Sequence, residues 1–311
     1  MTDYNGLLFI GDPHFSSSAP GYRKDDYPRA ILGKIEWALN YARDNRLLPA
    51  ILGDWFHFPR QNSNWLLVEL LRLLCVPVLG IYGNHDTAEN QLGDDDSLSL
   101  IHCAGKISLL DENNLWQGVM NGRPVILGGT PWGRPIPKEY PGGRVPGTLV
   151  FWMTHHDIRF GGYEEAGRFK PFEIPGVDAV INGHIHRRLE DIRTGTTVWM
   201  NPGNISRVTR SDASRQRIPA TLRVDVNSDG WSTSYVEIPH RAFDEVFHED
   251  LSGEDVPGDI SLFVAGLENL RRLRTSDGTG LMTYIEQNAD RFDPLVAEAI
   301  RNLAKEVCSH G

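Results

Sequence analysis

Three short apolar runs near the start of the chain each end in glycine followed at once by aspartate or asparagine. Residues 7–10 run into Gly11-Asp12-Pro13-His14, residues 50–52 into Gly53-Asp54, and residues 78–82 into Gly83-Asn84-His85-Asp86. Between them, residues 29–43 and 65–74 space their apolar side chains at helical intervals, and Pro77 is expected to close the second helix. Short strands alternating with amphipathic helices are an α/β signature. In an open α/β sheet ligands bind at the carboxyl ends of strands, so repeated polar residues there predict one shared site. Further strands are expected at 125–127, 149–153, 179–181 and 198–200. A hairpin follows, 221–226 with 234–238, turning at Asn227-Ser228-Asp229-Gly230.

Composition narrows the class. The chain has 311 residues with 40% hydrophobic content, enough for one large or two modest cores. No apolar run approaches the roughly 20 residues a membrane-spanning helix needs, so a soluble, cytoplasmic protein with no membrane association is expected. Cys75, Cys103 and Cys308 are too few and too scattered for a disulfide framework or a thiolate zinc site. The formal charge of −10 argues against a surface that grips polyanions everywhere. Residues 240–311 hold 14 acidic and 7 basic residues, so the chain before them is nearly neutral. That change of composition after Pro239 sets the expected boundary: a catalytic domain over 1–239 and an acidic, helical extension over 240–311, with helices at 261–274, 281–288 and 294–307.

Five clusters carry the chemistry: Asp12 with His14; Asp54 with His57; Asn84, His85 and Asp86; His155 with His156; and His184 with His186. Each alone reads equally as a turn or a hydrogen-bonded histidine. Gathered at one site, so many carboxylates and imidazoles need a compensating positive charge. Oxygen and imidazole donors without cysteine suit manganese, iron or zinc rather than magnesium or calcium. Same-face residues spaced Asp-x-His or His-x-His at a strand end can both reach one ion.

These motifs, in this order, resemble the calcineurin-like metallophosphoesterases: Asp-x-His, Gly-Asp-x-x-Asp/His, Gly-Asn-His-Asp/Glu, a strand-end His, then Gly-His-x-His. Asn201-Pro202-Gly203-Asn204 is similar to a turn that often follows the last motif. The resemblance implies a four-layer αββα sandwich and two divalent ions, Mn2+ first, with Fe or Zn as alternatives. It implies one ion held by Asp12, His14, Asp54 and His186 and a second by Asp54, Asn84, His155 and His184, with Asp54 bridging. Such a pair makes hydroxide available at neutral pH. His85 resembles the family's general acid, with Asp86 expected to hold its other ring nitrogen. His156 is then expected beside the ligands or facing substrate.

Gly53-Asp54-Trp55-Phe56-His57 looks like the Gly-Asp-hydrophobic-Phe-His of SbcD-type double-strand-break repair nucleases. That resemblance implies a DNA exo- or endonuclease with a coiled-coil ATPase partner. His57 would then assist departure of the leaving alkoxide or brace a ligand, while Phe56 reads as core. Arg207 and Arg210, in an arginine-rich stretch after the Asn-Pro-Gly turn, are candidate phosphate clamps. Asp94-Asp95-Asp96 is expected to cap a helix. A phosphodiesterase or phosphatase for a small molecule is the alternative function, and a metal-binding scaffold without activity is a third reading. The sequence allows a homodimer without specifying it. The 240–311 extension is open to roles as a cap, a brace or a docking segment.

Overall fold

The computed structural model describes residues 4–20 and 23–248. The chain divides into two units, Met1–His248 and Glu249–Gly311, and the second, with the three helices expected after residue 260, lies outside the described residues.

The first unit is built on two six-stranded sheets. Its elements, in order, are β1 (Gly6–Ile10), α1 (Tyr27–Asp44), β2 (Leu47–Ile51), α2 (Asn64–Leu73), β3 (Leu79–Gly80), α3 (Ser97–Cys103), β4 (Ser108–Leu109), β5 (Trp116–Met120) and β6 (Arg123–Thr130). They continue with β7 (Leu149–Thr154), β8 (Ala179–Asn182), β9 (Leu189–Thr194), β10 (Thr197–Asn201), α4 (Asp212–Gln216), β11 (Ala220–Asn227), β12 (Gly230–Glu237) and α5 (Phe243–Val246). The first sheet runs β12-β11-β1-β2-β3-β4 and the second β5-β6-β7-β8-β10-β9. Each has a parallel centre, β1 to β4 in one and β6-β7-β8-β10 in the other, flanked by antiparallel strands.

Period-two alternation decides how the layers stack. Leu8, Ile10, Leu47 and Ile51 face the helices, packing with Ile31, Ile35 and Ala38 of α1, Leu66 and Leu70 of α2, and Leu98 and Ile101 of α3. Their neighbours Leu7, Phe9, Leu48 and Ala50 face the second sheet and meet Phe151, Met153, Ile181 and Met200. Val150, Trp152, Val180 and Trp199 point to the far side of that sheet, where Ile158, Phe160 and Ile174 cover them. Burying one such large side chain contributes about 1.5–3 kcal/mol. Three apolar seams therefore hold an α/β sandwich together.

Helix ends follow local chemistry with two departures from expectation. Asp26 and Ser63 cap α1 and α2 by accepting from Arg29 N and Leu66 N. The second helix stops at Leu73, before Pro77 is reached. Asp96 occupies the position before α3 but makes no capping bond; its carboxylate instead accepts from Arg60 Nε and Gly93 N, both at 2.8 Å. Edge strands β5 and β9 went unread in the sequence because each is half-polar, with no continuous apolar run. The first unit also extends past residue 239: Lys24 N donates to Val246 O at 2.9 Å, and Arg207 Nη1 to Arg241 O at 3.0 Å. No helix among the described residues is long and apolar enough to cross a membrane.

Asn182, at the end of β8, ties three strand ends together. Its Oδ1 accepts from Thr154 Oγ1 at 2.9 Å and His156 N at 3.1 Å, and its Nδ2 donates to Asn201 Oδ1 at 3.0 Å. Asn201 Nδ2 in turn donates to Ile185 O and Arg187 O, holding the Gly183–Arg187 turn. An unsatisfied buried polar group costs about 1–3 kcal/mol. Replacing Asn182 by Leu orphans several at once, so urea unfolding is expected to show a loss of about 3 kcal/mol or more; a loss under about 1 kcal/mol contradicts this account.

Candidate metal centre

The strand ends of both sheets converge on one place, and their backbone is strained there. Asp12, His14, Asp54 and His184 adopt φ of 33°, 50°, 47° and 70°. Among described non-glycine residues only Arg46 and Asn121 share that left-handed region. Each such residue costs of order 1–3 kcal/mol and persists only where its surroundings over-determine it. Here they do: His14 N donates to Asp54 O at 2.9 Å, Ile205 N to Gly11 O at 3.0 Å, and Ser206 Oγ to Asp12 O at 3.0 Å. A Cβ on Gly53, itself at φ 101°, or on Gly183 would press into the His155 ring, so only glycine admits this closeness.

Asp54 lies at the centre. Its Oδ2 is 3.6 Å from His14 Nε2, its Oδ1 is 3.3 Å from His155 Nε2, and its Oδ1 accepts from His85 N at 2.9 Å. Two groups bring one ligand atom per residue within 4.8 Å of one another and share this carboxylate: His14, Asp54 and His186, and Asp54, His155 and His184. A third such group, His14, His57 and His85, adjoins them. Asp12 Oδ2 stands 3.9 Å from His186 Nε2, and Asn84 Oδ1 stands 2.9 Å from His184 Nδ1 and 3.3 Å from His155 Nε2.

The outer ring nitrogens are pinned. His155 Nδ1 donates to Leu52 O at 2.7 Å, and His184 Nε2 donates to Asp157 Oδ1 at 2.8 Å. That fixes the His184 tautomer, so its Nδ1 presents a lone pair to another acceptor, Asn84 Oδ1. The Nε2 atoms of His14 and His186 face each other at 3.0 Å. Both carboxylate oxygens of Asp12 are buried without a hydrogen-bond partner among the described residues. Imidazole nitrogens crowded within hydrogen-bond distance of one another, beside a buried carboxylate with no hydrogen-bond partner, are the surroundings a cation satisfies. The donor set fits two divalent ions.

The titration behaviour agrees with that arrangement. Burial lowers His14 well below its ordinary value and His186 to about 3, where Arg217 adds to the effect, so both rings are neutral and able to ligate. Burial alone would raise Asp54, but His155, His85 and His14 outweigh it and keep the carboxylate ionised. Asp12 is pushed up to about 7 by burial, with Asp54 adding to the rise and His155 opposing it. Burial opposes a proton on His155, yet Asp54 and Asp12 raise it to about 9. In the metal-free protein that proton stands where an ion's charge would.

Several residues sit elsewhere than expected. Asp86 does not hold His85; its oxygens accept from Phe56 N and Gly83 N at 2.9 and 2.8 Å, bracing the two loops, and burial raises it to about 8. His85 Nδ1 donates instead to His57 O at 2.9 Å, and the two rings stack at 5.5 Å. His156 turns away from the ligands: it is buried and its Nε2 donates to Arg134 O at 2.9 Å. Arg207 is buried as well, with its guanidinium committed to Arg217 O and Arg241 O, because the 206–217 segment folds back and leaves carbonyls that need donors. Arg210 is half-buried. Trp55 and Phe56 are core. Asp157 was missed; its only sequence signal is its place directly after the His155-His156 pair. The ring centroid of Trp132, two residues beyond β6, is 5.1 Å from that of His184.

The model of the calcineurin-like phosphoesterase family matches residues 7–188. A hypothetical protein from Thermus thermophilus has a similar structure, with 14% identity and a TM-score of 0.43 over 75% of this chain and 99% of that one. A conserved uncharacterised protein from Streptococcus pneumoniae, described as a predicted phosphoesterase, gives 13% identity and a TM-score of 0.35 over 76% and 92%. No curated protein matches in sequence. Sheets that converge on paired carboxylate and imidazole donors define a metal-dependent phosphoesterase. The chain belongs to the calcineurin-like phosphoesterase family, and its cofactors are divalent metal ions.

Two expectations follow. Because Asp157 orients His184, Asp157→Asn is expected to weaken ion binding by about 10- to 100-fold in a manganese titration, and unchanged affinity removes it from the centre. Because His155 keeps its proton below about pH 9, ion uptake at pH 7 must displace it, so affinity falls as pH falls. Calorimetry in buffers of different ionisation enthalpy is expected to show release of about one proton or more. A heat independent of buffer contradicts this.

Proposed function

We propose that the protein hydrolyses phosphodiesters in polynucleotides, as a DNA exo- or endonuclease of the SbcD type, with manganese as its resident ion and zinc or iron as the alternatives the donors accept. The observation that carries the reading is the pair His57 and His85. A phosphodiester expels a poor alkoxide leaving group, which needs a proton as the bond breaks. His85 has Nδ1 fixed on the His57 carbonyl and its ring 4.8 Å from that of His14, so its other nitrogen is left to serve a leaving oxygen beside the ligand cluster. Asp12, His14, Asp54 and His186 would hold one ion, and Asp54, Asn84, His155 and His184 the other. Bound there, the ions supply an acidified water and neutralise phosphoryl oxygens. Asp54 accepts from His85 N, so the acid and the shared ligand keep a fixed distance. The SbcD-like sequence around His57 supports DNA as substrate and, with it, a coiled-coil ATPase as partner and a cytoplasmic setting.

A second reading has its own support. Arg207 is spent on backbone carbonyls and the chain is acidic, which favours a small phosphodiester over a long polyanion. Incubating the manganese-loaded protein with linear duplex, single-stranded DNA, cyclic nucleotides and a phosphomonoester, with Asp54→Ala as control, separates the two. Cleavage of DNA is the expected result; activity confined to nucleotide-sized compounds overturns it. His85→Ala is expected to retain both ions while losing about 10²- to 10⁴-fold in turnover. An unchanged rate takes His85 out of the mechanism.

A further inference from the structure

Trp55, Trp152 and Trp199 are fully buried, and each indole N–H is paired, with Ile81 O, Thr130 Oγ1 and Phe172 O. Trp132, like Trp37, Trp65, Trp116 and Trp231, lies outside that set, and among the described residues it is the one of these five whose ring stands beside the metal donors. It is half-buried, and no hydrogen bond of its indole N–H is found among the described residues. Its ring stands at the donors of the Asp54–His155–His184 group: 5.1 Å and 32° from the His184 ring, and 6.4 Å from that of His155. The segment carrying it is held from three directions. Trp132 N donates to Tyr82 O at 3.2 Å, Arg134 N closes a turn on Pro131 O at 3.2 Å, and His156 Nε2 donates to Arg134 O at 2.9 Å. Gly133, at φ 77°, supplies the left-handed residue the turn needs. A large, partly exposed aromatic held beside the metal donors offers a π surface to whatever binds there.

We infer that Trp132 is a stacking platform, and that the substrate is a phosphodiester bearing a nucleobase, which packs on the indole while its phosphate meets the ions. The inference rests on the phosphodiesterase reading and names the substrate's organic part. Stacking tolerates any base, because each has a π face. The alternative, in which the indole merely supports His184, makes no distinction between ligands with and without a ring.

The test is equilibrium binding of two probes to the manganese-loaded protein, deoxyadenosine monophosphate and deoxyribose 5-phosphate, measured by calorimetry with ion content determined for every variant. The monophosphate is expected to bind about tenfold or more tightly than the sugar phosphate. Trp132→Ala is expected to abolish that difference while leaving sugar-phosphate affinity and ion content intact, and Trp132→Phe to keep most of it. Equal binding of the two probes by the unaltered protein overturns the platform but leaves the phosphodiesterase reading standing. A Trp132→Ala variant that weakens both probes equally, or loses an ion, reduces Trp132 to a support for His184. Failure of both probes to bind overturns both readings together.

Discussion

Asp54 is an ionised carboxylate with no exposure to water, set between two clusters of imidazoles. An isolated ionised carboxylate in such a place loses several kcal/mol of hydration even after the protein relaxes. It is tolerated because positive charge is brought to it, by the proton on His155 in the metal-free protein and by divalent ions when they bind. The geometry of the sandwich serves that requirement. β1 and β2 bring Asp12, His14 and Asp54 from one sheet, β7 and β8 bring His155 and His184 from the other, and the glycines before Asp54 and His184 let the strand ends approach. The left-handed backbone at four of these residues is the cost of aiming side chains from different strands at one point.

Around that centre a single device recurs. Three of the imidazoles have one nitrogen tied to an oxygen outside the cluster: His155 to Leu52 O, His184 to Asp157, His85 to His57 O. Tying the outer nitrogen fixes the tautomer and points the inner nitrogen inwards, so the ordering entropy of the rings is spent during folding rather than at the moment of binding. His156 shows the limit of reading histidines by adjacency. It neighbours His155 in sequence, but alternation at a strand end turns it to the other side, where it secures the Arg134 carbonyl and with it the Trp132 turn.

The arginines after Gly203 have a similar lesson. Arg23, Arg207 and Arg217 donate to the carbonyls of Arg207, Arg217, Arg241, His186 and Ser206, binding the segments on either side of the Asp12–His14 turn into one body. Their charge is used for cohesion. Burial lowers Arg217 to about 10, still far above neutral pH, so the guanidinium stays charged beside His186 and helps keep that ring neutral.

Much of this protein was legible in its sequence. Apolar runs ending in Gly-Asp, Gly-Asn and Gly-His fixed the central strands, the α/β class and the family, because period, turn chemistry and donor type are all local properties of the chain. The half-polar edge strands β5 and β9 were not legible, since an edge strand needs only one apolar face and leaves no continuous run. Which partner each donor finds was not legible either. Asp86 and His85 are adjacent in the chain, yet the carboxylate braces backbone and the imidazole turns to a carbonyl 28 residues away. The sequence offers Arg207 as a phosphate clamp, yet chain reversal buries it. Residue types determine which bonds a chain is able to make; only the packed sandwich, by deciding which unsatisfied groups lie within about 3 Å of each other, decides which of them are made.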